Sequence, residues 1–232
     1  MKILFAPAKT FNENVKPTKQ KGHFRKETIE LVNLIKSWSK EAISIKFKTS
    51  ETLSEEVYHF YQTFDQANSF EAFYLYQGVS YLHLDYPSLT KNEKMRLNDQ
   101  VIVIDALYGL IKPTDPISPY RLDFTVKGLN LRTIWKPVIN AYLESFNEPI
   151  LSLTSTEFSS LIKRDIPVFD VSFLDCQNDK CKAISVFNKQ NRGALLRYII
   201  QENILKIDDL PEVFNGYQKS IDSCHIIYKK GV

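Results

Sequence analysis

The sequence predicts a single α/β domain over residues 1–232, in which a mixed central sheet is flanked by helices. Two apolar runs, 2–6 and 101–106, are short and continuous, as in strands that are covered on both faces. Two longer stretches, 26–41 and 53–64, place apolar residues at helical spacing. Hydrophobic residues make up 44% of the chain and charged residues 25%, the balance of a globular protein that buries a core. No repeat or linker divides the chain, so one compact domain is expected.

The other elements follow in chain order. Residues 112–121 contain three prolines, which exclude a helix and predict a stiff, solvent-accessible loop that presents its polar residues. The patterns beyond it predict a helix over 138–146, a strand over 150–153, a capping box at 154–157, a hairpin formed by 167–174 and 181–187, a helix over 189–204 and a last strand over 224–228. The sheet should therefore contain both parallel and antiparallel pairs.

The formal net charge is only +3, so an anionic partner would have to meet a local patch of positive charge. Residues 1–26 carry seven basic side chains against one acid, Glu13, and residues 180–201 carry five basic side chains and no acid. Two separate segments are therefore locally basic. Solvated faces that serve solubility are the alternative interpretation, because charge runs often have that role.

The start of the chain has no signal-peptide pattern, and no apolar run approaches the ~20 residues that span a bilayer. A cytoplasmic protein without a membrane partner is expected. Three cysteines without a CxxC motif argue against a disulfide framework and a zinc site. Cys176 and Cys181 flank a four-residue turn, and across a hairpin they could pair under oxidation. Idle or buried thiols are the alternative.

Lys9 and Thr10 follow the opening strand, at the sheet edge where α/β proteins commonly bind anions. An ordinary surface lysine is the competing interpretation. The proline-rich loop adds a second group of candidates: Tyr108, Lys112, Tyr120, Arg121 and Asp123. Arg121 could bind a phosphate, with either tyrosine stacking on a base, or it could form a structural ion pair with Asp123.

Lys189, Arg192 and Arg197 form a third group, at the start of the predicted helix over 189–204. Cations near a helix N-terminus oppose its dipole, a placement that is understandable if an anion binds there, although solvation of the charges also suffices. Residues 76–81 predict a turn at Gly78 with exposed ring edges, unless the rings simply pack in the core. The four histidines show no metal-ligand spacing, and GxSxG, Walker A and GxGxxG motifs are absent from the sequence. No metal or cofactor is predicted.

These segments resemble motifs of the YaaA family. Residues 5–10, F-A-P-A-K-T, are similar to its N-terminal S-P-A-K-T motif, with Ala6 in place of serine. Residues 107–113, L-Y-G-L-I-K-P, and 119–123, P-Y-R-L-D, resemble two further family motifs, as do 189–197 and 214–217. The resemblance runs from Met1 to about Tyr228.

The resemblance implies a cytosolic protein of peroxide-stress defence that helps to limit intracellular iron. It also implies a single domain with a positively charged cleft, DNA binding and a helix-hairpin-helix-like element, for which residues 108–111 are the nearest match in this sequence. The resemblance assigns no catalytic residues to this sequence. A monomer is the expected oligomeric state.

Two functional hypotheses follow. The first is shape-specific DNA binding, with phosphates held by Lys9, Lys112, Arg121, Lys189, Arg192 and Arg197 and with Tyr108 and Tyr120 touching sugar or base. The second is an enzyme that acts on a nucleotide or modified nucleobase. It would use Lys9 as nucleophile or anchor and Asp123 as general base, beside Tyr120 and Arg121. Direct iron sequestration lacks a suitable ligand cluster.

Overall fold

The computed structural model describes residues 1–231 except Glu13, Lys21, His23 and Asp179. The charges predicted at Glu13 and Lys21 therefore lie outside the described residues, as do His23 and one residue of the turn between the two cysteines. Over the described part, the fold is a compact α/β domain with a mixed nine-stranded sheet, as predicted.

The strands are β1 (Lys2–Phe5), β2 (Thr10–Phe11), β3 (Phe70–Glu71), β4 (Tyr76–Gln77), β5 (Val101–Asp105), β6 (Gly109–Ile111), β7 (Pro116–Ile117), β8 (Ile150–Ser152), β9 (Val168–Gln177), β10 (Lys180–Lys182), β11 (Val213–Phe214), β12 (Tyr217–Asp222) and β13 (His225–Lys230). The helices are α1 (Lys26–Lys36), α2 (Lys40–Phe47), α3 (Glu51–Gln62), α4 (Ala72–Leu75), α5 (Val79–Leu84), α6 (Lys91–Gln100), α7 (Leu131–Leu143), α8 (Thr156–Ser159) and α9 (Ser185–Gln201). Short 3-10 turns occur at Phe64–Gln66, Tyr86–Ser88 and Ile207–Asp209.

The main sheet has the strand order β11-β12-β13-β9-β8-β1-β5-β6, and β10 pairs with β9. Its five middle strands, from β13 to β5, are parallel, whereas β6 and β10 to β12 add antiparallel pairs. Ile3 of β1 lies between Val101 of β5 and Leu151 of β8. The chain therefore moves to one side of β1 for β5 and to the other side for β8. Such a switch in direction opens a crevice at the carboxyl ends of the strands.

A tight turn joins β5 to β6, and the motif L-Y-G occupies it. Asp105 accepts hydrogen bonds from the backbone N–H groups of Leu107 and Tyr108, both at 2.8 Å. Gly109 has φ 77°, and a Cβ there would lie 2.3 Å from the Trp135 ring. The Trp135 indole in turn donates to the carbonyl of Ala106, which precedes Leu107, at 2.8 Å. The turn therefore requires glycine both for its backbone conformation and for the close approach of α7.

Several predicted boundaries were wrong. The helix predicted over 26–41 is two helices, because the Ser39 side chain accepts from the N–H of Ala42 and starts α2 there. The helix predicted over 138–146 begins at Leu131 and contains Pro137, since burial of Leu131, Trp135 and Ile139 outweighs the local cost of a proline. The cap of α8 is Ser155 and not the capping box predicted at 154–157.

The prediction for residues 112–121 holds only in part. The segment is not helical, but β7 pairs with β3, and Ile117, Ser118 and Tyr120 are buried. Its polar residues are therefore not all presented to solvent. The hairpin prediction was correct in its first strand, whereas the second strand ends at Lys182 and residues 185–187 already belong to α9. Cys176 and Cys181 form a disulfide in this hairpin, the pairing that the sequence allowed, and are not the idle thiols of the alternative interpretation.

Candidate functional site at the carboxyl ends of the parallel strands

A cleft of about 400 Å³ lies where β1, β5 and β8 end. The segment after β1 forms one side, and Ala106 after β5 and Leu153 after β8 form the base. Tyr120 adds to the base, and residues 77–81, residues 122–124 and α9 close the remaining sides. This is the crevice that the strand order creates, and its volume is in the range of ligand sites in proteins.

Six of the ten predicted site residues line the cleft: Lys9, Thr10, Tyr120, Asp123, Lys189 and Arg192. The other four, Tyr108, Lys112, Arg121 and Arg197, are not among its lining residues. Two acidic residues, Asp123 and Glu157, also line the cleft, which therefore contains three cations and two anions. The predicted six cations are therefore not gathered in one place.

Lys9 and Asp123 form an ion pair across the cleft. The Lys9 ammonium lies 2.8 Å from Asp123 Oδ2, and the hydroxyl and N–H of Thr125 donate to Asp123 Oδ1. Burial raises the pKa of Asp123, but the hydrogen bonds from Lys9 and Thr125 outweigh it and hold the pKa below its usual value. Asp123 is thus an anion at neutral pH, and it pairs with Lys9 rather than with Arg121 as one interpretation of the sequence had it.

Arg192 reaches the cleft from the eighth residue of α9. Its guanidinium donates to the carbonyl of Val171 at 3.1 Å, while its buried Nε has no partner among the described residues. Burial lowers the pKa of Arg192, and the nearby Asp170 carboxylate opposes that shift. An unsatisfied buried donor on a cation is costly, so an anion bound beside it would be stabilised.

The interpretation based on the helix dipole was wrong, because α9 begins at Ser185 and not at Lys189. Lys189 and Arg192 therefore lie beyond the first turn, where the dipole effect has faded. Arg197 lies further along and has a structural role. It donates to the carbonyls of Leu84 (2.8 Å) and Asp85 (3.1 Å), and so satisfies the C-terminus of α5 outside the cleft.

The two tyrosines predicted to touch sugar or base are both buried, with 6% and 7% of Tyr108 and Tyr120 exposed. Tyr108 donates to the carbonyl of Ser118 at 3.1 Å and accepts from the N–H of the same residue. Its ring stacks on Phe24 and meets Tyr120 edge-on. Neither ring is free to stack on a base at the surface, although Tyr120 forms part of the cleft base.

Asp105, the last residue of β5, is completely buried behind Tyr120. Besides the two turn N–H groups, its carboxylate accepts hydrogen bonds from the hydroxyls of Tyr120 and Tyr76, the latter at 3.0 Å. Burial raises the pKa of Asp105, and these hydrogen bonds offset only part of the shift. Sequence reasoning missed this network, although an acid that ends a continuous apolar strand was a visible signal.

The segment 76–81 forms part of the cleft wall, but its rings do not expose their edges. Tyr76 and Tyr81 are buried, and Tyr81 donates to the carbonyl of Ala6 at 3.0 Å. Packing was therefore the correct interpretation of the aromatic residues. Gly193 of α9 lies so close to this wall that a Cβ there would be 2.0 Å from the carbonyl oxygen of Ser80.

Across the described ranges, no group of three or more His, Cys, Asp or Glu side chains is arranged to hold a metal ion. No helix among these residues is both long and apolar enough to cross a membrane.

Comparison with known proteins gives the family. A profile for peroxide stress protein YaaA matches residues 1–221. The chain is 32% identical to a UPF0246 protein of Flavobacterium johnsoniae, over 94% of each chain. It is 32% identical to a UPF0246 protein of Crocosphaera subtropica over 83% of this chain and 82% of that one, and 29% identical to one of Finegoldia magna over 100% and 99%. The chain therefore belongs to the peroxide stress protein YaaA family, as its motifs indicated.

Proposed function

We propose that this peroxide-stress protein binds DNA and that one unpaired nucleotide of the DNA occupies the cleft. The observation that carries the proposal is that the cleft lining combines basic and apolar side chains. Lys9, Lys189 and Arg192 are the basic side chains, and Lys9 is paired with Asp123. A nucleotide offers matching groups, because its phosphate is anionic and its base presents apolar faces.

The apolar side chains of the lining include Leu122, Phe124, Leu153 and Phe158, which are buried among the surrounding residues. Phe124 and Phe158 meet edge-to-face with ring centroids 5.9 Å apart. Aromatic and aliphatic walls of this kind hold bases that have left the duplex stack. A continuous duplex is too wide for a cleft of about 400 Å³, so an unpaired or bulged nucleotide is the expected ligand.

Arg121 and Lys112 are proposed to contact DNA outside the cleft. Both are exposed, and Arg121 directly precedes the cleft residue Leu122. In the proposal they contact phosphates outside the cleft, where such contacts add affinity without sequence information. Tyr108 and Arg197 are not part of the proposed interface, because their polar groups are engaged within the fold.

In this proposal, the protein limits damage by intracellular iron through the DNA that it binds.

We expect removal of the two cleft lysines to flatten the salt dependence of DNA binding. For a single-stranded oligonucleotide, each lost phosphate contact reduces the slope of log affinity against log salt by about 0.7, so Lys9→Ala with Lys189→Ala should reduce it by about 1.4. Lys9→Ala should weaken binding more than Lys189→Ala, because it also leaves the Asp123 carboxylate unpaired. Fluorescence anisotropy over a salt series measures both effects.

Lys206→Ala is the matched control, since it removes an exposed lysine that does not line the cleft and has no part in the proposed interface. An equal loss of slope in the control and in Lys189→Ala would place the contacts on the outer surface and contradict the cleft assignment. Duplex DNA without a bulge should bind more weakly than bulged DNA of the same length. Equal affinity would exclude the unpaired-nucleotide part of the proposal.

A second candidate function is an enzyme that acts on a free nucleotide or modified nucleobase. Three of its four proposed residues, Lys9, Tyr120 and Asp123, do lie together in the cleft. The lowered pKa of Asp123 keeps it in the deprotonated state that a general base needs. The raised pKa of Tyr120 keeps its hydroxyl protonated, so it can only donate or accept a hydrogen bond. Calorimetric titration with mononucleotides would favour this candidate if they bound as tightly as oligonucleotides.

A further inference from the structure

The hairpin of β9 and β10 places two cysteines directly opposite each other. Cys176 and Cys181 are registered partners across the antiparallel pair, with Cα atoms 4.0 Å apart, and their sulfur atoms are bonded. Cys181 is exposed and Cys176 is half-buried. The strand register therefore already brings the two sulfurs together, and both reagents and reductants can reach their bond.

We propose that Cys176 and Cys181 are a reversible dithiol–disulfide site whose oxidant is hydrogen peroxide. The Cys181 thiolate attacks one peroxide oxygen, so that an S–O bond forms, the O–O bond breaks and hydroxide leaves, which becomes water with the proton that the Cys181 thiol released on ionising. The Cys176 thiol then attacks the sulfenic sulfur, the S–S bond forms, and the sulfenic oxygen leaves as water. Two thiols lose two electrons, and one peroxide becomes two waters. A dithiol reductant reverses the reaction by thiol–disulfide exchange.

Exposure and charge both assign the attack on peroxide to Cys181. Lys180 and Lys182 flank it in the chain, and their exposed side chains lie on the other face of β10. They favour the Cys181 thiolate, which is the reactive form, through the positive potential around the strand and not through direct contact. Cys176 instead follows Asp175, whose carboxylate accepts from the Tyr217 hydroxyl at 3.1 and 3.2 Å. Cys176 is thus the resolving thiol, and it is already in place opposite the sulfenic acid.

The fold around the hairpin does not depend on the disulfide. β10 has three exposed residues and pairs only with β9 among the described strands. The adjoining helix α9 is fixed separately, because the Asn188 side chain bonds the N–H of Phe173 at 3.0 Å and its carbonyl at 2.7 Å. Arg192 adds its bond to Val171. The two thiol states can therefore interconvert in the folded protein. The site lies outside the cleft and does not rest on the proposed function.

The test uses the reduced full-length chain with limiting hydrogen peroxide at neutral pH, followed by alkylation and mass spectrometry. The third cysteine, Cys224, is exposed and free, and it serves as an internal reference. We expect the Cys176–Cys181 disulfide to form at least about tenfold faster than Cys224 is oxidised, because the pair combines a cationic setting with a resolving partner. Dithiothreitol should restore both thiols with an unchanged circular dichroism spectrum.

Two serine variants distinguish the roles. In the Cys176→Ser variant, oxidation by peroxide should stop at a sulfenic acid on Cys181, which a dimedone reagent traps. The Cys181→Ser variant should give little trapped product. Cys224→Ser is the control and should form the disulfide at the wild-type rate. Oxidation of the pair no faster than that of Cys224, or loss of the folded spectrum on reduction, would overturn the proposal. Stronger dimedone trapping in Cys181→Ser than in Cys176→Ser would overturn the assignment of the two roles.

Discussion

Asp105→Ala should lower the free energy of unfolding by about 4 kcal/mol, because it removes the acceptor from four buried donors. Two are the N–H groups of Leu107 and Tyr108, and two are the hydroxyls of Tyr76 and Tyr120. The β5–β6 turn loses its fixed shape, and Tyr120 loses its anchor at the base of the cleft. Urea unfolding measures the stability, and oligonucleotide affinity should fall as well.

Asp105→Asn is the matched control, since its amide keeps one acceptor oxygen and the size of the side chain.

Asp105→Asn also tests the titration of Asp105. The pKa of Asp105 is higher in the folded protein than in the unfolded chain, so between these two pKa values the folded protein holds a proton on Asp105 that the unfolded chain has lost. The free energy of unfolding therefore falls as pH rises from the unfolded pKa of about 3.9 through the folded pKa. Asp105→Asn should remove this fall. A loss of less than about 1 kcal/mol in Asp105→Ala would contradict the network.

Gly193→Ala is expected to destabilise the protein by about 2 kcal/mol and to distort the cleft. Alanine favours a helix over glycine by about 1 kcal/mol, and that gain opposes the effect. The new Cβ, however, would lie 2.0 Å from the Ser80 carbonyl oxygen and under 3 Å from two further backbone atoms of that residue. Backbone cannot rotate away as a side chain can, so α9 and α5 must separate, and overpacking of this kind costs about 1–3 kcal/mol or more.

Gln190→Ala, one turn earlier on α9, is the control for helix propensity alone. It should change stability by only a few tenths of a kcal/mol. Gly193→Ala should also weaken oligonucleotide binding, because Ser80 and Arg192 line the cleft on the two helices that must move apart. A more stable Gly193→Ala protein with unaltered binding would show that the two helices can separate without cost.

The sequence was informative where one local pattern determines the structure. β1 and β5 were predicted because continuous apolar runs of this length fit buried strands, and Lys9 was placed at the cleft because it follows such a strand. Arg197 was grouped with the candidate phosphate contacts, whereas its hydrogen-bond partners are backbone carbonyls at the end of α5, more than 100 residues away. No local pattern encodes such a contact.

The aromatic residues illustrate a second limit. Tyr108 and Tyr120 have the same apolar ring and polar hydroxyl whether they face a ligand or the core. Their burial depends on Ser118 and Asp105, which satisfy the hydroxyls from other parts of the chain. The start of α9 was similarly ambiguous, since Val186 and Phe187 suit a strand as well as a helix and are both exposed.

The interior position of β1, between two strands from much later in the chain, constrains how the protein is made. Ile3 leaves the ribosome long before its partners, Val101 and Leu151, which are synthesised 98 and 148 residues later (101 − 3 and 151 − 3). At about 5–20 residues per second, the second partner follows after roughly 7–30 s. Throughout that interval, nascent chains carry an apolar strand whose edges are unpaired, which is the kind of segment that chaperones bind. Chains that terminate before β8 should remain clients of chaperones instead of folding.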